Sequence, residues 1–203
     1  MPDLESLYAK LDLPAVPMHT NVTYHSVPII TDPSTGRTIS ESLDIVRYLD
    51  ETYPSTPRLI PEGNTMLIHG FAMLFAKQTF GHLVMLIMSE CKLNEASLGF
   101  YEKTRPAYFG VPTYADLKLT GEARRKEVES LKAGLDGIAK LYEVNGKGEY
   151  VMGERLSYAD VVVAAMLKWW SLNLPEWEEV KGWNGGRWAR ALELMDEKYG
   201  QVL

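Results

Sequence analysis

The residues able to do chemistry are few, and their spacing excludes several kinds of site. The four histidines are His19, His25, His69 and His82. None stands in an H-E-x-x-H or C-x-x-C pattern, so no metal site is expected. The one cysteine, Cys91, lies in Met88-Ser89-Glu90-Cys91. A single thiol forms no internal disulfide, which fits a reducing compartment. Its place in a helical stretch points to a half-buried structural residue and not a nucleophile. Gly185-Gly186 follows no strand and lacks the lysine of a phosphate loop. Aromatic side chains concentrate at Tyr101, Tyr108, Phe109 and Tyr114, among the breakers Pro106, Gly110 and Pro112. Phe100 to Lys118 therefore reads as an irregular connection with at most one short helix.

These side chains need elements to position them. Leu4, Leu7, Tyr8 and Leu11 follow i, i+3, i+4, i+7 spacing, the stripe of a short helix. An irregular stretch with Pro14 and Pro17 follows. Val27-Pro28-Ile29-Ile30 is β-prone, Asp32-Pro33-Ser34-Thr35-Gly36 is dense in turn residues, and Arg37-Thr38-Ile39 returns as a second strand, so a β-hairpin is expected. A helix begins at Ser40-Glu41-Ser42 and stops near Tyr53-Pro54, because the residue before proline is pushed out of helical geometry. Residues 54–64 are proline-rich and read as a linker.

The remainder reads as helical. One long helix is expected from Thr65 to Lys92. Val128, Leu131, Leu135, Ile138 and Tyr142 make Gly121 to Glu143 amphipathic, and Asn145-Gly146-Lys147-Gly148 ends it. Ser157 and Asp160 form a capping box, with Leu156 and Val161 placed as a hydrophobic staple. Val161 to Leu167 is apolar all round, so that helix belongs at the centre of a bundle. Trp188, Leu192, Met195 and Tyr199 mark a final helix, and Trp169, Trp170, Trp183 and Trp188 are assigned to its core. The fold class is α+β and mostly α: a small α/β unit over 1–53, a linker over 54–64, and an all-α domain over 65–203.

Charge and composition narrow the partners. The 203 residues carry a net charge of -6, which disfavours a nucleic-acid partner. Met1 to Glu5 holds two acids and no basic cluster, unlike a secretory signal. The apolar run from Met66 to Met88 is broken by His69, Lys77, Gln78 and His82, so it reads as a buried helix and not a membrane span. A cytoplasmic protein without a membrane partner is expected.

Three stretches carry a resemblance to the cytosolic glutathione S-transferases. Val27 to Ile30, the turn, and Ile39-Ser40-Glu41-Ser42-Leu43-Asp44-Ile45-Val46-Arg47-Tyr48-Leu49-Asp50 resemble the second half of the family's thioredoxin-like domain. Met152 to Asp160 resembles the capping motif of its C-terminal core helix. Trp183-Asn184-Gly185-Gly186-Arg187-Trp188, with Asp32 to Gly36, is similar to a fungal branch.

The resemblance implies a glutathione site. Pro28 is implied to be cis, turning the Val27 backbone outward to pair with the cysteinyl part of glutathione. Ser42 is implied to hold the γ-glutamyl carboxylate at a helix N-terminus, and Glu41 the γ-glutamyl ammonium. Met66, Met73, Phe80, Tyr101, Tyr108 and Phe109 are implied to wall a pocket for a hydrophobic or aromatic co-substrate. The family's opening strand, catalytic Ser/Tyr/Cys loop, helix and second strand have no counterpart here. The chain is therefore read as an incomplete gene model or a truncated product, with a genuine short isoform as the alternative, and no catalytic residue is assigned. The implied function is conjugation of glutathione to hydrophobic or aromatic electrophiles, or reduction with it, once that front part is present. The alternative is a non-catalytic binding protein for apolar or polyphenolic ligands. Glutathione is the implied co-substrate and a homodimer the implied assembly.

Overall fold

A computed structural model describes residues 2–17, 23–144, 146 and 148–200. Helix α1 (Leu4–Lys10) buries Tyr8 alone. Leu7 stays exposed, so the leucine stripe is only partly used. Two short strands, β1 (Val16–Pro17) and β2 (Thr23–Tyr24), pair antiparallel in the stretch the sequence read as irregular. At two residues each, they are too short to leave a periodic signal. His19 lies outside the described residues.

The expected hairpin is present as β3 (Ile29–Asp32) and β4 (Arg37–Ser40), in the register Ile29↔Ser40 to Asp32↔Arg37. Asp32 organises its turn. Its carboxylate accepts from Ser34 N–H at 2.9 Å, Ser34 Oγ at 2.6 Å, Tyr48 Oη at 2.6 Å and Tyr53 Oη at 2.5 Å. The two tyrosines belong to α2 (Ser42–Thr52) and its C-cap, so one carboxylate fastens the hairpin to the helix. The Ser34, Tyr48 and Tyr53 hydroxyls, in that order, hold Asp32 far below the usual carboxylate range. The sign follows: a depressed acid stabilises the fold above its unfolded value of 3.8 and loses that contribution as pH falls through its folded value. Asp32→Asn is expected to lower the melting temperature at neutral pH and to flatten its fall between about pH 4 and pH 2. Thermal melts across that window check it, and parallel acid limbs for both proteins would contradict it.

Helix α2 stops before Pro54, as expected. Residues 54–64 are held at several points. Asp50 accepts from the N–H groups of Leu59 at 3.0 Å and Ile60 at 2.8 Å, and the Leu59 carbonyl accepts from Tyr158 N–H at 2.9 Å. Val46, Ile60, Ile68, Ala72, Tyr158 and Ala159 form one apolar cluster across α2, this segment and the bundle.

The bundle is α3 (Thr65–Ile87), α4 (Glu95–Phe109), α5 (Gly121–Glu143), α6 (Tyr158–Asn173), α7 (Trp177–Gly182) and α8 (Arg187–Tyr199). Helix α3 has the length and composition of a membrane span. Its Phe75, Leu83, Leu86 and Ile87 are buried in the main core with Leu131, Leu135 and Ile138 of α5 and Val163, Leu167 and Trp170 of α6. The α3–α5 crossing requires Gly134, since a Cβ there would strike the Gln78 carbonyl oxygen. The Ser157–Asp160 capping box is formed. The stretch that ends α5 falls partly outside the described residues, which include neither Asn145 nor Lys147.

Four expectations are corrected. Helix α3 ends at Ile87, five residues before Lys92, because a turn at Met88 to Glu90 follows. Phe100 to Lys118 is not mainly irregular: α4 runs through Pro106 to Phe109. Asn94 caps it by accepting from Ser97 N–H at 2.8 Å, and Gly110 closes it at φ 67°. Pro106 sits in the last turn, where its missing N–H costs one bond and does not end the helix. Helix α7 was not anticipated, its six residues being too few for a periodic signal. Ala165 is exposed and lines a cleft, and Trp169 packs against the core while also lining that cleft, so α6 is not buried all round.

The Trp183–Trp188 motif has a structural explanation. Asn184, Gly185 and Gly186 all take positive φ, 50°, 65° and 80°. This turn lets Asn184 donate to Asp136 of α5 at 2.7 Å and accept from the buried Trp188 indole of α8 at 2.7 Å. The glycines there supply the positive φ that the turn needs.

Candidate functional site

Tyr8 builds the site from behind. It is 1% exposed, and its hydroxyl donates to the Ser26 carbonyl at 2.9 Å and accepts from Ser26 N–H at 3.2 Å. Both backbone groups of Ser26 are thereby fixed to α1. The next residues, Val27 and Pro28, are joined by a cis peptide bond. Val27 is 63% exposed, so its edge is open to a ligand.

The hairpin register brings the second half of the site alongside. Ile29 pairs with Ser40, which puts Pro28 and Glu41 at the same end of the ladder. Glu41 caps α2 at φ 68° and ψ 118°, a conformation that L-residues avoid. Strained backbone of this kind gathers at functional sites. Ser26 Oγ donates to Glu41 Oε1 at 2.9 Å, and among the described residues Oε2 has no hydrogen-bond partner. Ser42 begins α2 and shares a 2.9 Å hydroxyl hydrogen bond with Tyr158 at the start of α6. The helix start offers N–H groups and the positive end of a dipole, both suited to a carboxylate. Val27, Pro28, Glu41 and Ser42 thus lie together, within a network of Tyr8, Ser26 and Tyr158. Sequence reading missed those three. Tyr8 was visible only as part of the apolar stripe of α1 and Tyr158 only as part of the capping motif, and Ser26 carried no signal.

A cleft of about 890 Å³ adjoins this site, and Val27 is part of its wall. Volumes of this order suit small organic ligands. Phe80, Tyr101, Tyr108 and Phe109 line it, with Met85, Arg105 and Trp169 as lining residues the sequence did not single out. Met66 and Met73 are corrected: neither lines the cleft, and they are 86% and 55% exposed. The reason is helix geometry. Met66 precedes Phe80 by fourteen residues, about 21 Å along α3 at ~1.5 Å per residue, while the cleft opens on the C-terminal half. Tyr114 is also elsewhere, donating to the Met88 carbonyl at 2.6 Å within a side cluster of the core.

Cys91, His69 and His82 do not line the cleft. Cys91 is half-buried, and burial pushes its thiol up, away from the thiolate a nucleophile needs. His82 pairs with Glu127 of α5 at 2.6 Å, and His69 Nδ1 is buried without a partner among the described residues. The described residues contain no cluster of three or more His, Cys, Asp or Glu that could hold a metal.

Comparison with known proteins fits this geometry. A family model described as glutathione S-transferase, C-terminal domain, matches residues 67–199, and one described as glutathione S-transferase, N-terminal domain, matches residues 12–57. The chain is 28% identical over 206 residues to ustS, a glutathione S-transferase-like protein of Aspergillus flavus, covering 94% of this chain and 72% of that one. A glutathione S-transferase of Ceriporiopsis subvermispora, solved in complex with glutathione, superposes with a TM-score of 0.90 at 30% identity, covering 100% of this chain and 82% of that one. A second from the same fungus, also solved with glutathione, gives 0.86 at 32% identity, covering 97% and 82%. With a thioredoxin-like N-terminal part, a helical C-terminal bundle and matches to both family models, the chain belongs to the glutathione S-transferase family.

Proposed function

We propose that the protein binds glutathione across Val27, Pro28, Glu41 and Ser42, and that the adjoining cleft takes the hydrophobic or aromatic molecule to which glutathione is delivered. The observation carrying this reading is the shared wall. Val27 follows the segment fixed by Tyr8, stands two residues before Ile29, whose ladder partner Ser40 leads into Glu41 and Ser42, and lines the aromatic cleft. A peptide paired along the Val27 backbone would carry its thiol toward that cleft. The two relatives solved with glutathione support the assignment. On this reading 1–53 is the glutathione-binding domain, 54–64 the connection and 65–203 the helical domain, in a homodimer that works in the cytoplasm. Conjugation also requires a donor that stabilises the glutathione thiolate, and no residue is assigned that role. The second reading, a ligand-binding protein without chemistry, needs only the cleft, and its volume and aromatic walls favour it.

Calorimetric titration with glutathione, followed by glutathione-dependent turnover of 1-chloro-2,4-dinitrobenzene, separates the readings. Saturable one-to-one binding with turnover is expected. Binding without turnover favours the second reading, and no binding removes the first. Light scattering on the same sample is expected to give the mass of two copies, and a single-copy mass would remove the dimer.

A further inference from the structure

Arg105 is the only charged side chain among the residues lining the aromatic cleft. It projects from α4 beside three rings of its own helix, with the guanidinium carbon 4.4 Å from the Tyr101 ring centroid, 5.7 Å from Phe100 and 5.9 Å from Tyr108. Such contacts hold a guanidinium by its faces and leave its N–H edge for hydrogen bonding. Nη1 donates to Thr104 Oγ1 at 3.2 Å. Of the five N–H donors a guanidinium carries, this engages one. The ion pairs of the described residues do not include Arg105. By contrast, Arg124, the half-buried arginine of α5, is paired with both carboxylate oxygens of Glu176.

Placement adds to the argument. Arg105 also borders a second hollow of about 320 Å³, which Glu5, His25 and Ser26 line too, although Glu5 makes no ion pair with it. It therefore stands between the Ser26–Val27 segment and the aromatic cleft. On the cleft side its walls are apolar and offer no carboxylate, so there the cation is satisfied best by an anion that arrives with the ligand. The walls of Phe80, Phe109 and Trp169 ask for a flat apolar body.

We infer that the cleft selects aromatic ligands bearing an anionic group, an aryl carboxylate above all, with Arg105 receiving the anion and the aromatic walls the ring. This rests on the cleft being the site of the second ligand. The chemistry is recognition only, with no bond made or broken.

The test compares 2-naphthoate with its neutral isostere 2-naphthamide, titrated calorimetrically into the protein with saturating glutathione present. The naphthoate is expected to bind at least about tenfold more tightly, the worth of one charge-assisted contact. Arg105→Gln is expected to erase that preference by weakening 2-naphthoate far more than 2-naphthamide, and an unchanged thermal melt shows that the variant is folded. Arg105→Lys is expected to keep part of the preference, since it retains the charge and loses the planar fork. Equal binding of the two probes by the wild type overturns the inference and leaves the cleft reading standing. A preference that survives Arg105→Gln overturns the assignment to Arg105. A preference seen only without glutathione overturns it too, because Arg105 would then serve a carboxylate of the peptide. Binding of neither probe removes the cleft reading itself.

Discussion

Replacing Glu41 with glycine is expected to weaken glutathione binding by about 10- to 100-fold while leaving the fold nearly as stable as before. The two halves of this result have separate causes. The side chain supplies the carboxylate proposed to hold the γ-glutamyl ammonium, and it is steadied for that role by the hydrogen bond from Ser26 Oγ. The backbone at φ 68° is a conformation that costs an L-residue on the order of 1 kcal/mol and costs glycine little. Glycine therefore relieves strain of about the size of the lost Ser26 hydrogen bond, ~1 kcal/mol. Glu41→Gln is the useful contrast. It keeps the strain and an oxygen for Ser26 but loses the charge, so affinity should drop with stability unchanged. Calorimetric titration reads the first quantity and urea denaturation the second. Full glutathione affinity in both variants would remove Glu41 from the site. A large loss of stability in the glycine variant would mean that the residue is held there for folding.

The second large effect is expected at Asp160. Asp160→Ala should cost about 3 kcal/mol or more, enough to populate unfolded protein at room temperature. The carboxylate is buried and accepts from Ser157 N–H at 2.8 Å, Ser157 Oγ at 2.7 Å and Val151 N–H at 2.7 Å. Removing it strands backbone donors where water does not reach readily, and each costs about 1–3 kcal/mol. It also removes the cap of α6, which carries Leu167 and Trp170 into the main core. Asp160→Asn keeps one acceptor oxygen and should lose about half as much. Urea midpoints for the three proteins give the order directly. Equal midpoints for wild type and Asp160→Ala would show that the capping box adds little. Because Tyr158 of the same helix start holds Ser42 at 2.9 Å, glutathione affinity is expected to fall along with stability.

These two residues mark how the protein could be read. Asp160 was legible at once, because a capping box is a contract between residues three apart and α6 forms around it. The hairpin was legible for the same reason: Asp32 to Gly36 is turn chemistry, closed locally by the Ser34 contacts of Asp32, while its Tyr48 and Tyr53 bonds were not readable. The periodicity of α5 marked its bounds because one face meets one core. Glu41 and Ser42 came only through family resemblance. Nothing local announces a positive φ at a glutamate, which the hairpin and α2 impose jointly.

The rest had to wait for tertiary structure, since it depends on which faces meet. A seven-residue spacing puts Met66, Met73 and Phe80 on one stripe of α3, but the cleft opens along only part of that stripe's length. Pro106 reads as a breaker, yet the Asn94 cap and Gly110 stop hold α4 together around it. Trp169 and Trp170 are adjacent in sequence, and a helical step of ~100° buries Trp170 fully in the core while leaving Trp169 at its edge, where it also walls the cleft. Tyr8 meets Ser26 across a separation of eighteen residues, and Arg105 enters the cleft beside Val27 from a helix far along the chain. By itself the sequence determined the hairpin, the bounds of α2 and α5 and the capping box of α6, because those interactions close within a few residues. The tertiary structure decided the walls of the cleft and the support of the site, because packing alone chooses which side chains face one another.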